Sequence, residues 1–222
     1  MIWAMVLKGG PLMIPILAGS IIGVAIVIER GIALFRFTLE EGQTYLTQVL
    51  EAMRQGQIER ALALTEKLDH PVAPVLHRGL EQWGLPVSLV ERTLEQAAQQ
   101  QVRQLERWLG GLASVITIEP MLGFLGTIMG LIRAFMAWEA AGARVTVSQL
   151  AGGMYEAMIT TAAGLIIAIP LLMAYNGFVS QIRRTAASLT DAAHEYLELY
   201  ARLQPKDRFH EDPQHPRVLA RA

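Results

Sequence analysis

Cysteine is absent from this 222-residue chain. That excludes a disulfide scaffold, a thiolate metal site and a cysteine nucleophile. Charge is scarce as well: 18% of residues are Asp, Glu, Lys or Arg, where an ordinary soluble domain carries about 25%. The net charge of −1 offers no basic face for nucleic acid. Enzyme signatures are missing. His70, His77, His194, His210 and His215 form no HExxH pair, and no Walker A or Rossmann glycine pattern occurs. Ser20 and Ser114 have no neighbouring histidine to activate them. The expectation is a chain that is not an enzyme and that uses no cofactor, no metal and no nucleic-acid partner.

What is present is hydrophobic residue, at 52% of the chain and a mean hydropathy of +0.33. That excludes disorder for most of the chain. The apolar residues are collected into spans. Leu12 to Ile28 is a 17-residue run without charge, stopped by Glu29-Arg30. Ala157 to Val179 is 23 residues without charge, followed by Arg183-Arg184. Leu109 to Trp138 is apolar except for Glu119 and Arg133. A membrane-crossing helix needs roughly 17–25 mostly apolar residues. The first run is too long, and too poor in a small-residue cleavage site, for a signal peptide. The expected fold is all-α: an integral membrane protein with three transmembrane helices embedded in the lipid bilayer, the second and third extended far into the cytoplasm.

Lys and Arg in the connections set the orientation. The N-terminal segment has Lys8 alone, residues 29–108 carry nine, 139–148 only Arg144, and 183–222 seven. The expected order is an outside segment at 1–11 and transmembrane helix 1 at 12–28. A cytoplasmic helical loop at 29–108 leads to transmembrane helix 2 at 109–138. A short periplasmic loop at 139–148 and transmembrane helix 3 at 149–182 follow. A cytoplasmic helix at 183–203 and a disordered, Pro-rich tail at 204–222 end the chain. Within the loop, 40–54 and 57–67 carry apolar residues at helical spacing. Gly56 breaks them, and Asp69-His70-Pro71 and Gly84-Leu85-Pro86 mark turns. Ser88-Leu-Val-Glu91 has the capping-box form that starts a helix. With no Pro or Gly before Gly110, that helix could run unbroken from Ser88 to Trp138, about 76 Å.

Ionisable and hydroxyl side chains at membrane depth are rare and mark ion pathways or structural pairs. Glu156 and Thr160 are four apart, on one helix face, and Thr161 follows. Two readings stand: a proton-relay lining, or an interfacial Glu with hydroxyls bonded to their own helix. Gly123, Gly126 and Gly130 share a face, which lets two helix backbones approach closely and could set Thr127 against a partner. Glu119 stands beside Pro120, which frees the Ile116 carbonyl. Its carboxyl is protonated, paired with a basic residue, or facing a wet crevice. For Arg133 the reading is a structural ion pair, and for Glu29 and Arg30 an anchor at the headgroup level.

The segments Glu119-Pro-Met-Leu-Gly-Phe-Leu-Gly-Thr-Ile-Met-Gly130 and Glu156-Ala-Met-Ile-Thr-Thr161-Ala-Ala-Gly164-Leu-Ile-Ile-Ala-Ile-Pro170, with Tyr175-Asn176 and Ile-Glu29-Arg30, resemble the MotA/TolQ/ExbB family of bacterial proton-channel proteins, and within it the ExbB/TolQ branch. The likeness covers roughly residues 8–200. It implies a homopentamer in the inner (plasma) membrane around a dimer of a single-span partner, ExbD or TolR, which brings the membrane aspartate that carries the proton. It implies that Thr127, Thr161 and Glu156, with Thr160 beside them, line the pathway, and that Gly164 belongs to the helix-packing set. The output would be work on TonB or Tol-system partners. The compact start with Lys8-Gly-Gly-Pro inclines the reading to an ExbB-like role over a TolQ-like one. Glu119 departs from the pattern, where the family commonly has a small or neutral residue, and stands as a second titratable site. The alternatives are a passive membrane scaffold and a membrane enzyme using Glu119 with Glu156.

Overall fold

The helical patterning of the sequence is realised almost throughout. The computed structural model describes residues 9–36, 39–67, 69–141 and 147–204, all of whose regular structure is helix. The helices are α1 (Met13–Phe35), α2 (Leu39–Arg54), α3 (Ile58–Glu66), α4 (Val72–Glu81), α5 (Val87–Leu105), α6 (Leu109–Ala141) and α7 (Val147–Leu203). The expected N-terminal segment up to Lys8, Arg144 and the tail from 205 lie outside the described residues. Three helical stretches are long and apolar enough to cross a membrane: Met13–Phe35, Val87–Ala140 and Ala151–Leu203.

Two sequence expectations change in detail. The stretch from Ser88 to Trp138 is interrupted at 106–108, between α5 and α6, where Trp108 takes a φ of 68°. A left-handed residue cannot continue the helix, and a non-glycine one there needs support. The support comes from α1. Arg30, only 6% exposed, donates to the Gln104 and Leu105 carbonyls at 3.4 and 3.3 Å, covering the end of α5, where the Gln104 oxygen also accepts the Arg107 amide at 3.3 Å. The second change is at Ser88, which lies inside α5 and is not its N-cap. The Pro86 carbonyl accepts the first bonds, from the Leu89 and Val90 amides, so the helix starts at Val87, two residues earlier than the capping box indicated.

The chain divides into two units. One combines the residues up to Arg36 with Arg103–Arg184; the other combines those after Arg36 up to Val102 with those from Thr185 onward. The second unit has a core of soluble-protein type. Leu46, Val49, Leu50 and Met53 of α2 pack with Val75, Leu76 and Leu80 of α4, Val90 and Leu94 of α5, and Leu189, Tyr196 and Tyr200 of α7. Tyr196 and Tyr200 stack with centroids 6.1 Å apart. The Tyr200 hydroxyl donates to the Leu85 carbonyl at 2.7 Å and accepts from the Gly84 amide at 3.0 Å, pinning the turn where Gly84 has φ +89°. The His70 ring accepts the Val72 amide at 3.1 Å and so caps the start of α4, a role that an Asp-His-Pro turn signal alone did not disclose.

The first unit is a bundle of α1, α6 and the N-terminal part of α7. Ile16 and Leu112 are fully buried, while Ile14, Ile21, Phe124, Phe135, Met158, Ile166 and Met173 stand exposed. An apolar exterior on helices of this length is what a bilayer or apposed membrane helices cover.

Candidate functional site

The seam between α6 and α7 is built from small residues, and the backbones touch. A Cβ on Gly130 would lie 2.5 Å from the Gly153 carbonyl oxygen, and one on Gly123 would lie 3.0 Å from the Thr160 oxygen and the Thr161 Cα. A Cβ on Gly164 would lie 2.5 Å from the Glu119 carbonyl oxygen, and Gly126 faces the Thr160 side chain directly. Lipid gives no hydrophobic drive between such helices, so close packing and interhelical hydrogen bonds hold them.

The polar residues sit along this seam. Near one end Arg133 of α6 forms an ion pair with Glu156 of α7. The Glu156 side chain is 15% exposed and that of Arg133 is 41%. Gly10, at φ +69°, passes so close to the Glu156 carboxylate that a Cβ would collide with it. One turn on, Thr160 is fully buried and its hydroxyl turns back to the Glu156 and Ala157 carbonyls at 3.1 and 3.0 Å. Thr161 reaches across: its hydroxyl lies 2.9 Å from the Gly123 carbonyl of α6 and 3.2 Å from the Ala157 carbonyl of α7. Thr127 donates to the Phe124 carbonyl of its own helix at 2.5 Å. Thus Glu156, Thr160 and Thr161 gather on one seam with Arg133, while the Thr127 hydroxyl is occupied within α6.

Glu119 is apart from that group. Its side chain is 1% exposed, and Oε2 has no hydrogen-bond partner among the described residues. The carboxyl lies against Gly19 of α1, where a Cβ would clash with Oε1. A charge at the centre of a membrane helix costs about 2.5–3.5 kcal/mol on insertion scales, so a buried acidic group without a counter-ion needs explaining. Glu29 pairs with Arg30. The bracing of the α5 end by Arg30 was not legible in the sequence, because an Arg after an apolar run looks the same whether it meets headgroups or a broken helix.

A bundle with an apolar exterior, small-residue seams and a few ionisable groups inside them defines a class: a multi-pass α-helical membrane protein with polar chemistry at membrane depth. Sequence comparison gives the family. The sequence model of the MotA/TolQ/ExbB proton channel family matches residues 67–191, and the chain belongs to that family, a family of channels and not of enzymes. It is 30% identical over 209 residues to the putative biopolymer transport protein ExbB-like 3 of Synechocystis sp., covering 94% of this chain and 96% of that one. It is 31% identical over 192 residues to the biopolymer transport protein exbB1 of Vibrio cholerae, covering 84% and 82%. It is 40% identical over 85 residues to the Tol-Pal system protein TolQ of Haemophilus influenzae, covering 38% and 37%.

Proposed function

We propose that this chain is the stator-like proton-channel subunit of an ExbB–ExbD-type motor that couples the proton motive force to TonB-dependent transport across an outer membrane. The observation that carries the reading is the α6–α7 seam, where Glu156, Thr160 and Thr161 line up beside Arg133 at membrane depth. The near full-length similarity to ExbB-like relatives supports the role. The partner is an ExbD- or TolR-like single-span protein with an acidic residue in its span, enclosed by a homopentamer of this chain. The Lys and Arg distribution supports a periplasmic N-terminus and a cytoplasmic C-terminus in the inner membrane.

The energetics are adequate. One charge crossing 100 mV releases about 2.3 kcal/mol. About three protons therefore supply the roughly 5.5 kcal/mol that inverts a 1:99 population between two states. The TolQ-like role in the Tol-Pal envelope system is the second reading, favoured by the 40% identity to TolQ over 85 residues. Its Tol partners would replace TonB, and the same seam would serve.

The test is proton flux into liposomes holding this chain, with and without a co-expressed ExbD-like partner. Wild type is compared with Thr127→Val, Thr161→Val and Glu156→Gln. Flux that needs the partner and falls at least tenfold in assembled variants is expected. Flux absent from a correctly assembled complex, or indifferent to all three changes, refutes the reading and leaves a passive scaffold.

A further inference from the structure

We propose that Glu119 is a second proton-binding carboxyl of this chain, held buried against Gly19 of α1. This goes beyond the pathway reading above and does not rest on it, because it concerns where a proton resides within the three helices of one subunit.

Geometry carries the inference. The Glu119 side chain is 1% exposed and its Oε2 is without a partner among the described residues. Oε1 lies against Gly19 of α1, and the Glu119 backbone oxygen is 2.5 Å from where a Cβ on Gly164 of α7 would be. The Gly19 backbone therefore lies against the carboxyl itself, while Gly164 packs on the main chain at its base. The other ionisable residues on these helices are remote. They are Glu29 and Arg30 on α1, Arg133 and Glu139 on α6, and Tyr155, Glu156 and Tyr175 on α7 up to the Arg183-Arg184 pair. The nearest along its helix, Glu156, is eight residues from Gly164, about 12 Å at 1.5 Å per residue. The arginines on α1 and α6, Arg30 and Arg133, are engaged with Glu29 and Glu156. A buried carboxylate without a counter-ion is strongly disfavoured in this setting, whereas the neutral acid is not. The resting group is thus the carboxylic acid.

Loading and release are simple proton transfers. On loading, a proton from a hydrated proton forms an O–H bond at the carboxylate and leaves a water molecule. On release that O–H bond breaks heterolytically, the electron pair stays on the carboxylate and a water takes the proton. Both steps require water at Oε1 or Oε2, and the geometry places Gly19 of α1 against Oε1. A methyl at Gly19 would meet the free end of the Glu119 side chain, which can swing aside. Gly19→Ala is therefore a variant that folds with the carboxyl displaced.

The experiment is infrared spectroscopy of the full chain in lipid nanodiscs at neutral pH, in water and in deuterium oxide. Wild type is compared with Glu119→Gln, Glu156→Gln and Gly19→Ala. A carbonyl stretch of protonated carboxylic acid is expected in wild type, lost in Glu119→Gln, kept in Glu156→Gln and shifted on deuteration. Gly19→Ala is expected to change its frequency and speed its exchange severalfold. Superimposable spectra of wild type and Glu119→Gln overturn the proposal. So does a band that never shifts on prolonged deuteration, which would mark a sealed structural acid, or one that Gly19→Ala leaves unchanged. The Gly19→Ala arm decides alone if Glu119→Gln does not fold. Failure of proton flux in the partner complex would refute the pathway reading and leave this band untouched, so the two failures are distinguishable.

Discussion

Adding one methyl group at Gly130 tests whether the α6–α7 seam holds the membrane unit together. In Gly130→Ala the new Cβ would stand 2.5 Å from the Gly153 carbonyl oxygen, 2.9 Å from the Ala157 Cβ and 3.0 Å from the Ala157 nitrogen. Comfortable contact is about 3.5 Å, so the helices must part by about 1 Å locally. Two of the three neighbours are backbone atoms and cannot rotate away. Overpacking of this kind costs about 1–3 kcal/mol. Alanine recovers at most about 1 kcal/mol through helix propensity, and little of that where the helix persists in the unfolded reference. The loss also spreads. A 1 Å separation carried to Thr161 would stretch its 2.9 Å bond to the Gly123 carbonyl to about 3.9 Å, too long for a hydrogen bond. The net expectation is destabilisation by about 1–2 kcal/mol, a 5–30-fold fall in the folded ratio. The assay is equilibrium unfolding of the full chain in mixed micelles on addition of a denaturing detergent, followed by circular dichroism. Gly31→Ala is the control, because a Cβ there meets nothing within 4 Å; it should be neutral or slightly stabilising. If Gly130→Ala is as stable as Gly31→Ala, close backbone contact is not what holds this seam.

Three further outcomes follow from the same geometry. Arg133→Gln leaves Glu156 without its cation; with Arg133 41% exposed the loss should lie between the surface and buried limits, about 1–3 kcal/mol. Adding Glu156→Gln should restore at least half of it in a double-mutant cycle read by the same unfolding titration. Tyr200→Phe orphans the Gly84 amide and Leu85 carbonyl and should cost about 1–3 kcal/mol, seen as faster hydrogen exchange in α4 and α5. Tyr196→Phe removes a buried hydroxyl that has no partner among the described residues and should be neutral or stabilising by the same exchange measurement. Burial, with Tyr200 beside it, also raises the Tyr196 phenol above its ordinary value. The folded state then holds that proton where the unfolded chain gives it up, so stability is full below about pH 10 and falls as pH rises further. Tyr196→Phe should flatten that alkaline decline in a pH series of melts.

The three apolar stretches were legible because a bilayer imposes one length on every crossing, and charge-free runs at 12–28 and 157–179 have no soluble counterpart of that size. The helices at Leu39–Arg54 and Ile58–Glu66 followed from apolar spacing with Gly56 between them. The interruption at 106–108 did not, because Glu-Arg-Trp contains no helix breaker. The left-handed Trp108 is braced by a tertiary contact at the end of α5, Arg30 from 74 residues away, and no local pattern carries that. The Arg133–Glu156 pair was half legible. Each residue stood out as a charge at membrane depth, but the pairing depends on α6 and α7 running antiparallel, which puts Gly130 beside Gly153 and Arg133 beside Glu156. The isolation of Glu119 was illegible for the same reason: spacing shows what is near on one helix, not what is missing from the others.

The hydroxyls along the seam are not equivalent, and the difference bears on which one can move a proton. Thr160 has two acceptors, but both belong to its own helix, and its side chain is sealed against Gly126. Rotation would only exchange one carbonyl of α7 for another. Thr161 has one hydrogen and two acceptors on different helices, Gly123 at 2.9 Å and Ala157 at 3.2 Å. Similar distances mean similar energies, and interhelical bonds of this kind average about 0.6 kcal/mol in membranes, close to thermal energy. The Thr161 hydroxyl is therefore a rotor whose orientation a nearby charge can bias, at a place where α6 and α7 cannot part without breaking it. That is why Thr161→Val should abolish flux while leaving the fold intact, and why the same change at Thr160 should have the smaller effect on flux. Equal losses at both positions would show that the interhelical acceptor plays no part.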